Sequence, residues 1–298
     1  MFGLRLAAVA AIALPALALT ACESSPDSTD ATASTTTATA PEKPGPGDQT
    51  IRFDFAGKTR SYVVHAPPGY TGATPLPLVV ALHYRPGNAA GIAELSALNA
   101  KADTENFLVA YPEGYSGAFN ALVCCGSEDD VGFIKEVVAR MITTWKADPA
   151  RTYATGISNG GDMSFRLAVE LPGTFAAIAA VSGGFIGQTV EPPTYKPTTP
   201  IPVLTFLGGR DRNIDRFEQG IALWQERLSC TPANPISNFP RGITHTTATC
   251  ADGSEVQTYR LPEMFHSWPG ATTGELNDPT AGLSATDLIW DFFKTHTR

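Results

Sequence analysis

The sequence predicts an α/β fold, with a mostly parallel central sheet and helices on both faces. Two observations carry this. The runs LPLVVALH, FLVAYP, FAAIAAVSG and IPVLTFLGG are continuously apolar and of strand length, as expected for strands buried on both faces. The segments between them repeat their apolar residues at helical spacing, and strands that alternate with helices build a parallel sheet. The active crevice of such a sheet lies at the carboxyl ends of its strands.

The elements follow in chain order. Residues 1–21 read as an export signal, with Arg5 ahead of a short apolar stretch over residues 6–19. That stretch is too short and too interrupted by proline for a membrane span. It ends in Leu19-Thr20-Ala21-Cys22, which resembles a bacterial lipobox, so Cys22 is the expected lipidation site. A plain secretory signal is the alternative. Residues 22–49 are rich in Ser, Thr, Ala and Pro, with no large apolar side chain, and read as a disordered linker. The catalytic domain is expected over 50–298, with its first convincing strand at Ile51, so a chain cut at residue 45 should keep fold and activity.

IRFDF and RSYVVHAP alternate around Gly57-Lys58 as an antiparallel hairpin. AGIAELSALNAKADTEN has helical periodicity. In DDVGFIKEVVARMITTWK, Val131, Ile134, Val137, Val138, Met141 and Ile142 share a helix face, with Asp129 and Asp130 at the start to cap it. RTYATG is a short strand, followed by a helix from about Gly161 to Leu171 that stops at Pro172-Gly173. A helix over Asp215–Ser229, the strand EVQTYRL and the amphipathic helix ATDLIWDFFKTH complete the domain, with Trp224 and Trp290 on buried helix faces.

Charge and cysteine content narrow the setting. The chain has 21 Lys+Arg against 29 Asp+Glu, and no basic patch that suggests nucleic acid. It has five cysteines. If Cys22 carries lipid, Cys124, Cys125, Cys230 and Cys250 remain, and in an exported chain an even remainder reads as disulfides rather than a metal site. Three pairings are open. Cys230 with Cys250 closes a modest loop after a helix and is favoured. Cys124 and Cys125 are then either an adjacent-residue disulfide or two buried thiols.

The stretch TYATGISNGGDMSF places Ser158 between a strand and a helix within Gly156-Ile157-Ser158-Asn159-Gly160. That is the setting of a nucleophile elbow, where a sharp turn exposes a serine hydroxyl at the top of the sheet. In α/β-hydrolases the partners follow in the order serine, acid, histidine. Of the five histidines, His266 follows the strand EVQTYRL and fits; His83 ends a strand but precedes the serine. His65 reads as structural, His245 lies in a Thr-rich loop between two cysteines, and His296 is near the C-terminus. The acid is Asp211, after Gly208-Gly209-Arg210, in preference to Asp215, which reads as a helix start.

LVVALH, YPEG, CCG, DDVGFI, GISNGGDM, LGGRD and FHSWPG together resemble the polyhydroxybutyrate depolymerase and feruloyl esterase family of secreted α/β-hydrolases. The resemblance covers nearly all of residues 60–293. It implies an α/β-hydrolase fold and a carboxylic ester hydrolase with Ser158 as nucleophile, His266 as base and Asp211 as orienting acid. It also implies a cysteine pair like Cys230 and Cys250. The chain departs from the family at His83-Tyr84, Leu207-Gly208-Gly209, Phe119 and Asp162.

The chemistry implied is acyl transfer without cofactor or metal. Backbone N–H groups of Asn159 and of Tyr84 or Arg85 are the expected oxyanion donors. Trp268 and His83 are candidate substrate-binding residues. The expected substrate is a feruloyl, acetyl or polyhydroxyalkanoate-type ester met outside the cytoplasmic membrane, with the protein a monomer held there through Cys22. A serine peptidase or thioesterase on the same fold, and an inactive polymer-binding lipoprotein, are the competing readings.

Overall fold

The apolar run after Pro75 does form a strand buried along its whole length, β3 (Leu76–Leu82), and its two faces feed two separate cores. Leu78, Val80 and Leu82 belong to one core, Val79 and Ala81 to the other. This alternation follows from the two-residue period of a strand. The structure is a computed structural model that describes residues 42–237 and 239–298. The expected signal, Cys22 and most of the expected linker lie outside the described residues.

The strands of the main sheet are β1 (Gly47–Phe55), β2 (Lys58–Ala66), β3, β4 (Leu108–Pro112), β5 (Ala147–Ile157), β6 (Ala177–Val181), β7 (Val203–Gly208), β8 (Thr231–Pro232), β9 (Thr244–Thr249) and β10 (Glu255–Leu261). They form one sheet in the order β1-β2-β4-β3-β5-β6-β7-β10-β9-β8. From β4 to β10 all neighbours are parallel; β1, β2 and the β9–β8 edge are antiparallel. Helices α3 (Asp130–Thr143), α4 (Asn159–Glu170) and α5 (Ile214–Arg227) pack Phe133, Met141, Phe165, Phe217 and Trp224 onto one face. Helices α1 (Ala89–Ser96), α2 (Leu98–Glu105) and α6 (Ala285–Phe293) pack Ile92, Leu98, Ile289, Trp290 and Phe293 onto the other. Two layers of helix on a largely parallel sheet is the predicted architecture.

The structure corrects the sequence in three elements. The helix expected over AGIAELSALNAKADTEN is two helices, broken at Ala97, whose φ of 50° is left-handed. The break lets α2 follow the sheet, where Asn99 accepts the Tyr111 hydroxyl at 2.6 Å. The Thr-rich segment around His245 is the strand β9, not a loop. Its β-branched threonines suit a strand, here paired between β10 and β8, but it lacks apolar alternation. Asp129 is the N-cap of α3, accepting from Gly132 N–H at 2.8 Å. Asp130 instead is buried and pairs with Arg60 at 2.6 Å.

Cys230 and Cys250 are disulfide-bonded, as are Cys124 and Cys125. With 20 residues of separation, the first bond closes a loop that stabilises by about 3 kcal/mol through the unfolded state. It ties the end of α5 to the end of β9.

The domain also begins earlier than residue 50. Strand β1 starts at Gly47, and Glu42 ahead of it is packed against the core. Its carboxylate accepts from Trp145 Nε1–H at 3.0 Å and from the Tyr62 hydroxyl at 3.3 Å, and pairs with Arg140 at 3.1 Å. Burial, and then the Glu42 charge, push the Tyr62 hydroxyl up from its ordinary pKa. Composition hid this role, because one glutamate in a polar tract has no periodic signal. Glu42→Ala should therefore cost about 2 kcal/mol, since it strands a buried indole N–H. A chain beginning at residue 46 should show the same loss in a denaturant melt. An unchanged midpoint in both proteins would make Glu42 a bystander.

Candidate active site

Ser158 stands at the tip of the turn between β5 and α4, at φ 57° and ψ −122°. A side chain other than glycine rarely adopts this region, and holding it there costs about 1–3 kcal/mol. Surrounding backbone imposes it. A Cβ on Gly156 would stand 2.7 Å from the Leu82 carbonyl oxygen, and one on Gly160 would stand closer still. Only bare glycines let the turn press onto the end of β3. Ser158 N–H donates to Val181 O at 3.0 Å and its carbonyl accepts from Asp162 N–H at 2.9 Å. The serine is thus clamped between β6 and α4.

Asp211 and His266 meet because β7 and β10 are parallel neighbours whose C-terminal loops emerge side by side. Gly209 N–H donates to Leu261 O at 2.8 Å and Arg210 N–H to Met264 O at 2.9 Å. A Cβ on Gly208 would lie 2.5 Å from the carbonyl oxygens of Met264 and Phe265. The two loops therefore interlock backbone to backbone. Asp211 Oδ2 lies 2.6 Å from His266 Nδ1, and Oδ1 accepts Asn213 N–H at 2.9 Å. The acid side chain is fully buried while the imidazole is 28% exposed. With Nδ1 committed to the acid, Nε2 is the nitrogen left for a hydroxyl or a substrate. Phe217 stacks on the ring at 6.4 Å. Asp215 sits in the first turn of α5.

Ser158 and His266 line one cleft of about 240 Å³ together with Arg85, Asn159, Asp162, Arg212, Arg216 and Phe217. Arg85 and Asn159 thus reach the cleft, whereas Tyr84 is buried and is not among its lining residues. The two aromatic candidates for substrate contact are displaced. His83 is fully buried, with Nδ1 2.7 Å from Tyr84 O and Nε2 accepting Gly114 N–H at 2.9 Å. These partners require the neutral ring with its proton on Nδ1, and burial lowers its pKa to match. His83 pins the loop after β3 instead of facing substrate. Trp268 is fully buried in the core beneath α6 and donates to Thr286 Oγ1 at 3.0 Å. Its indole needed that polar partner inside the core.

Sequence reasoning missed the side chain of Asn159. Its Oδ1 accepts Phe119 N–H at 2.8 Å and its Nδ2 donates to Phe119 O at 3.0 Å. This two-point clamp holds the loop carrying Cys124 and Cys125 against the elbow. The GISNGG motif contains the residue but not its partner.

Residues 60–195 match the family model described as esterase PHB depolymerase. A protein of Nocardia uniformis subsp. tsuyamanensis named as an esterase, NocK, is 39% identical over 255 residues, covering 73% of each chain. The chain belongs to the PHB depolymerase family of esterases. Feruloyl esterase C of Emericella nidulans is 30% identical over 246 residues, 78% of this chain and 83% of that one. Among solved structures, acetyl xylan esterase from Aspergillus awamori aligns with a TM-score of 0.60 at 18% identity, over 83% of this chain and 99% of that one. That likeness is one of fold, and the fold is of the α/β-hydrolase type. The protein is a carboxylic ester hydrolase.

This esterase carries a buried acid beside its elbow. Asp162, in the first turn of α4, is buried and accepts Gly184 N–H at 2.9 Å. Burial pushes its pKa from 3.8 up to about 7, against the pull of that N–H and of His266 and Arg216. The folded state thus keeps a proton that the unfolded chain releases above its ordinary pKa. The contribution to stability is full below about pH 4 and is lost as pH rises to about 7. Asp162→Asn keeps the acceptor and removes the charge. It should match the parent esterase at pH 4 and exceed it at pH 8, by up to about 4 kcal/mol. Thermal melts at both pH values read this directly, and an equal gap at both would refute it.

Proposed function

We propose that the protein is a serine esterase working through an acyl-enzyme, with Ser158 as nucleophile, His266 as general base and Asp211 as its orienting acid. The observation that carries this is the 2.6 Å contact of His266 Nδ1 with buried Asp211, on a ring sharing its cleft with a strained Ser158. His266 takes the Ser158 proton as the hydroxyl oxygen bonds to the ester carbonyl carbon. Asp211 holds the ring and stabilises the imidazolium. Collapse of the tetrahedral intermediate expels the alcohol, which receives that proton, and leaves the acyl group on Ser158. Water, deprotonated by the same ring, attacks the acyl carbon, and the ring returns that proton to the Ser158 oxygen as the acid leaves. The N–H groups of Asn159 and Arg85 are the proposed oxyanion donors, because both residues line the cleft. Losing one such donor costs about 3 kcal/mol of transition-state stabilisation.

The proposed substrates are feruloyl, acetyl or polyhydroxyalkanoate-type esters, in keeping with the names of the relatives. The proposed place of action is outside the cytoplasmic membrane, with Cys22 as lipid anchor. No helix among the described residues is long and apolar enough to cross a membrane, and the signal-like N-terminus supports export.

Ser158→Ala and His266→Ala should each lower hydrolysis of a 4-nitrophenyl ester by about 10⁴-fold or more without unfolding the protein. Asp211→Asn should lower it by about 10⁴-fold through the histidine tautomer. Retained activity in a folded Ser158→Ala protein would end the triad assignment. A feruloyl, acetyl-sugar and hydroxybutyrate panel then ranks the acyl groups.

Mass spectrometry of the exported chain should find Cys22 as a lipid-modified N-terminus. An unmodified peptide spanning residue 22 would show a plain secretory signal instead.

A further inference from the structure

Three arginines, Arg85, Arg212 and Arg216, line the cleft that holds Ser158 and His266. This runs against the balance of the chain, which has 29 acidic and 21 basic residues. Elsewhere Arg60, Arg140, Arg151, Arg166, Arg210 and Arg260 each pair with a carboxylate, and Arg227 and Arg298 are bound by backbone carbonyls. Among the described residues, no carboxylate pairs with any of the three cleft arginines within 4.0 Å. Three unneutralised guanidinium groups around a nucleophile form a positive site open to a ligand.

The local acids do not cancel it. Asp211 is committed to His266. Asp215 is not among the residues lining the cleft. Asp162 does line it, but its burial raises its pKa to about 7, so it is largely protonated only below that pH.

Two of the arginines stand on fixed backbone. Asp211 Oδ1 holds Asn213 N–H at 2.9 Å and its carbonyl holds Ile214 N–H at 3.0 Å, which sets the turn carrying Arg212. Arg216 N–H donates to Asn213 O at 3.0 Å in the first turn of α5. Like charges lining one cleft repel, and an anion between them relieves that cost. The planar guanidinium fork matches a carboxylate by two parallel hydrogen bonds. The cleft of about 240 Å³ has room for a short charged group beside these arginines.

We propose that this cleft selects short esters that carry a carboxylate near the scissile bond, with Arg212 and Arg216 as the specificity-determining residues. The inference rests on the reading of Ser158 as nucleophile. Arg85 contributes charge from the loop after β3, but it is left in place in the test because its backbone is a proposed oxyanion donor.

The test compares esters matched in size. Mono-4-nitrophenyl glutarate is set against 4-nitrophenyl pentanoate, and acetoxyacetate against ethyl acetate, so that the charge sits on the acyl half or on the alcohol half. The expected result is a kcat/KM preference of roughly tenfold or more for the charged member of at least one pair, the scale of a charge-assisted contact. Arg212→Gln/Arg216→Gln should bring that ratio close to one. Both side chains are exposed, and a thermal melt checks folding. In the unaltered protein, 0.5 M sodium chloride should also erode the preference, which needs no substitution.

A second arm uses binding alone. Calorimetry on the Ser158→Ala protein should show glutarate bound at least tenfold more tightly than 1,5-pentanediol, again through the two arginines. If no ester is cleaved but glutarate binds this way, the esterase mechanism fails and the charge preference stands. Ratios near one for both ester pairs, with no glutarate preference, overturn the proposal.

Discussion

The site depends on how closely two pieces of backbone can approach. The Leu82 carbonyl at the end of β3 occupies the space that a side chain on Gly156 or Gly160 would need. Because both positions are bare, α4 starts immediately above the sheet and forces Ser158 into a left-handed conformation. The proposed chemistry follows from that placement. The hydroxyl is presented at the carboxyl edge of the strands, and the N-terminus of α4 lies directly behind it. The positive end of the helix dipole favours negative charge developing there.

The same kind of contact joins the other two members of the constellation. Gly208 and Gly209 let the loop after β7 lie flush against the loop after β10, so main-chain hydrogen bonds set their register. Asp211 and His266 are 55 residues apart in the chain, yet they meet at hydrogen-bond distance without depending on long side chains to find each other. Main-chain hydrogen bonds hold the two loops in one register, which suits a geometry that must be held to fractions of an ångström.

Around this core the protein invests in buried polar connections. Asn159 clamps Phe119, Asp130 pairs with Arg60 and accepts Asn120 N–H at 2.7 Å, and His83 ties Tyr84 to Gly114. All three act on the loops after β3 and β4. Buried groups of this type must be paired, so each loop is held in one arrangement. The cleft arginines contrast with them, since they are exposed and carry no ion-pair partner among the described residues. Paired loops and unspent positive charge fit the proposed preference for an anionic ester.

By itself the sequence determined the layered α/β architecture, and it marked the Ser158 turn and the chain order of the proposed acid and histidine, because each is a local signal. Apolar runs mark buried strands, glycine spacing marks a close approach, and a histidine after a strand marks the sheet edge. Those signals need no knowledge of distant neighbours. The tertiary structure alone decided which candidates face the cleft. His83 and Trp268 carry the right chemistry at promising addresses, but packing turns both inward and gives their ring nitrogens partners elsewhere. Glu42 sits in a tract whose composition reads as linker, yet Trp145, more than a hundred residues away, recruits it. Arg212 and Arg216 look like ordinary surface charge until the fold brings them beside Ser158. Burial and proximity are properties of pairs of residues far apart in the chain, and no single segment encodes them.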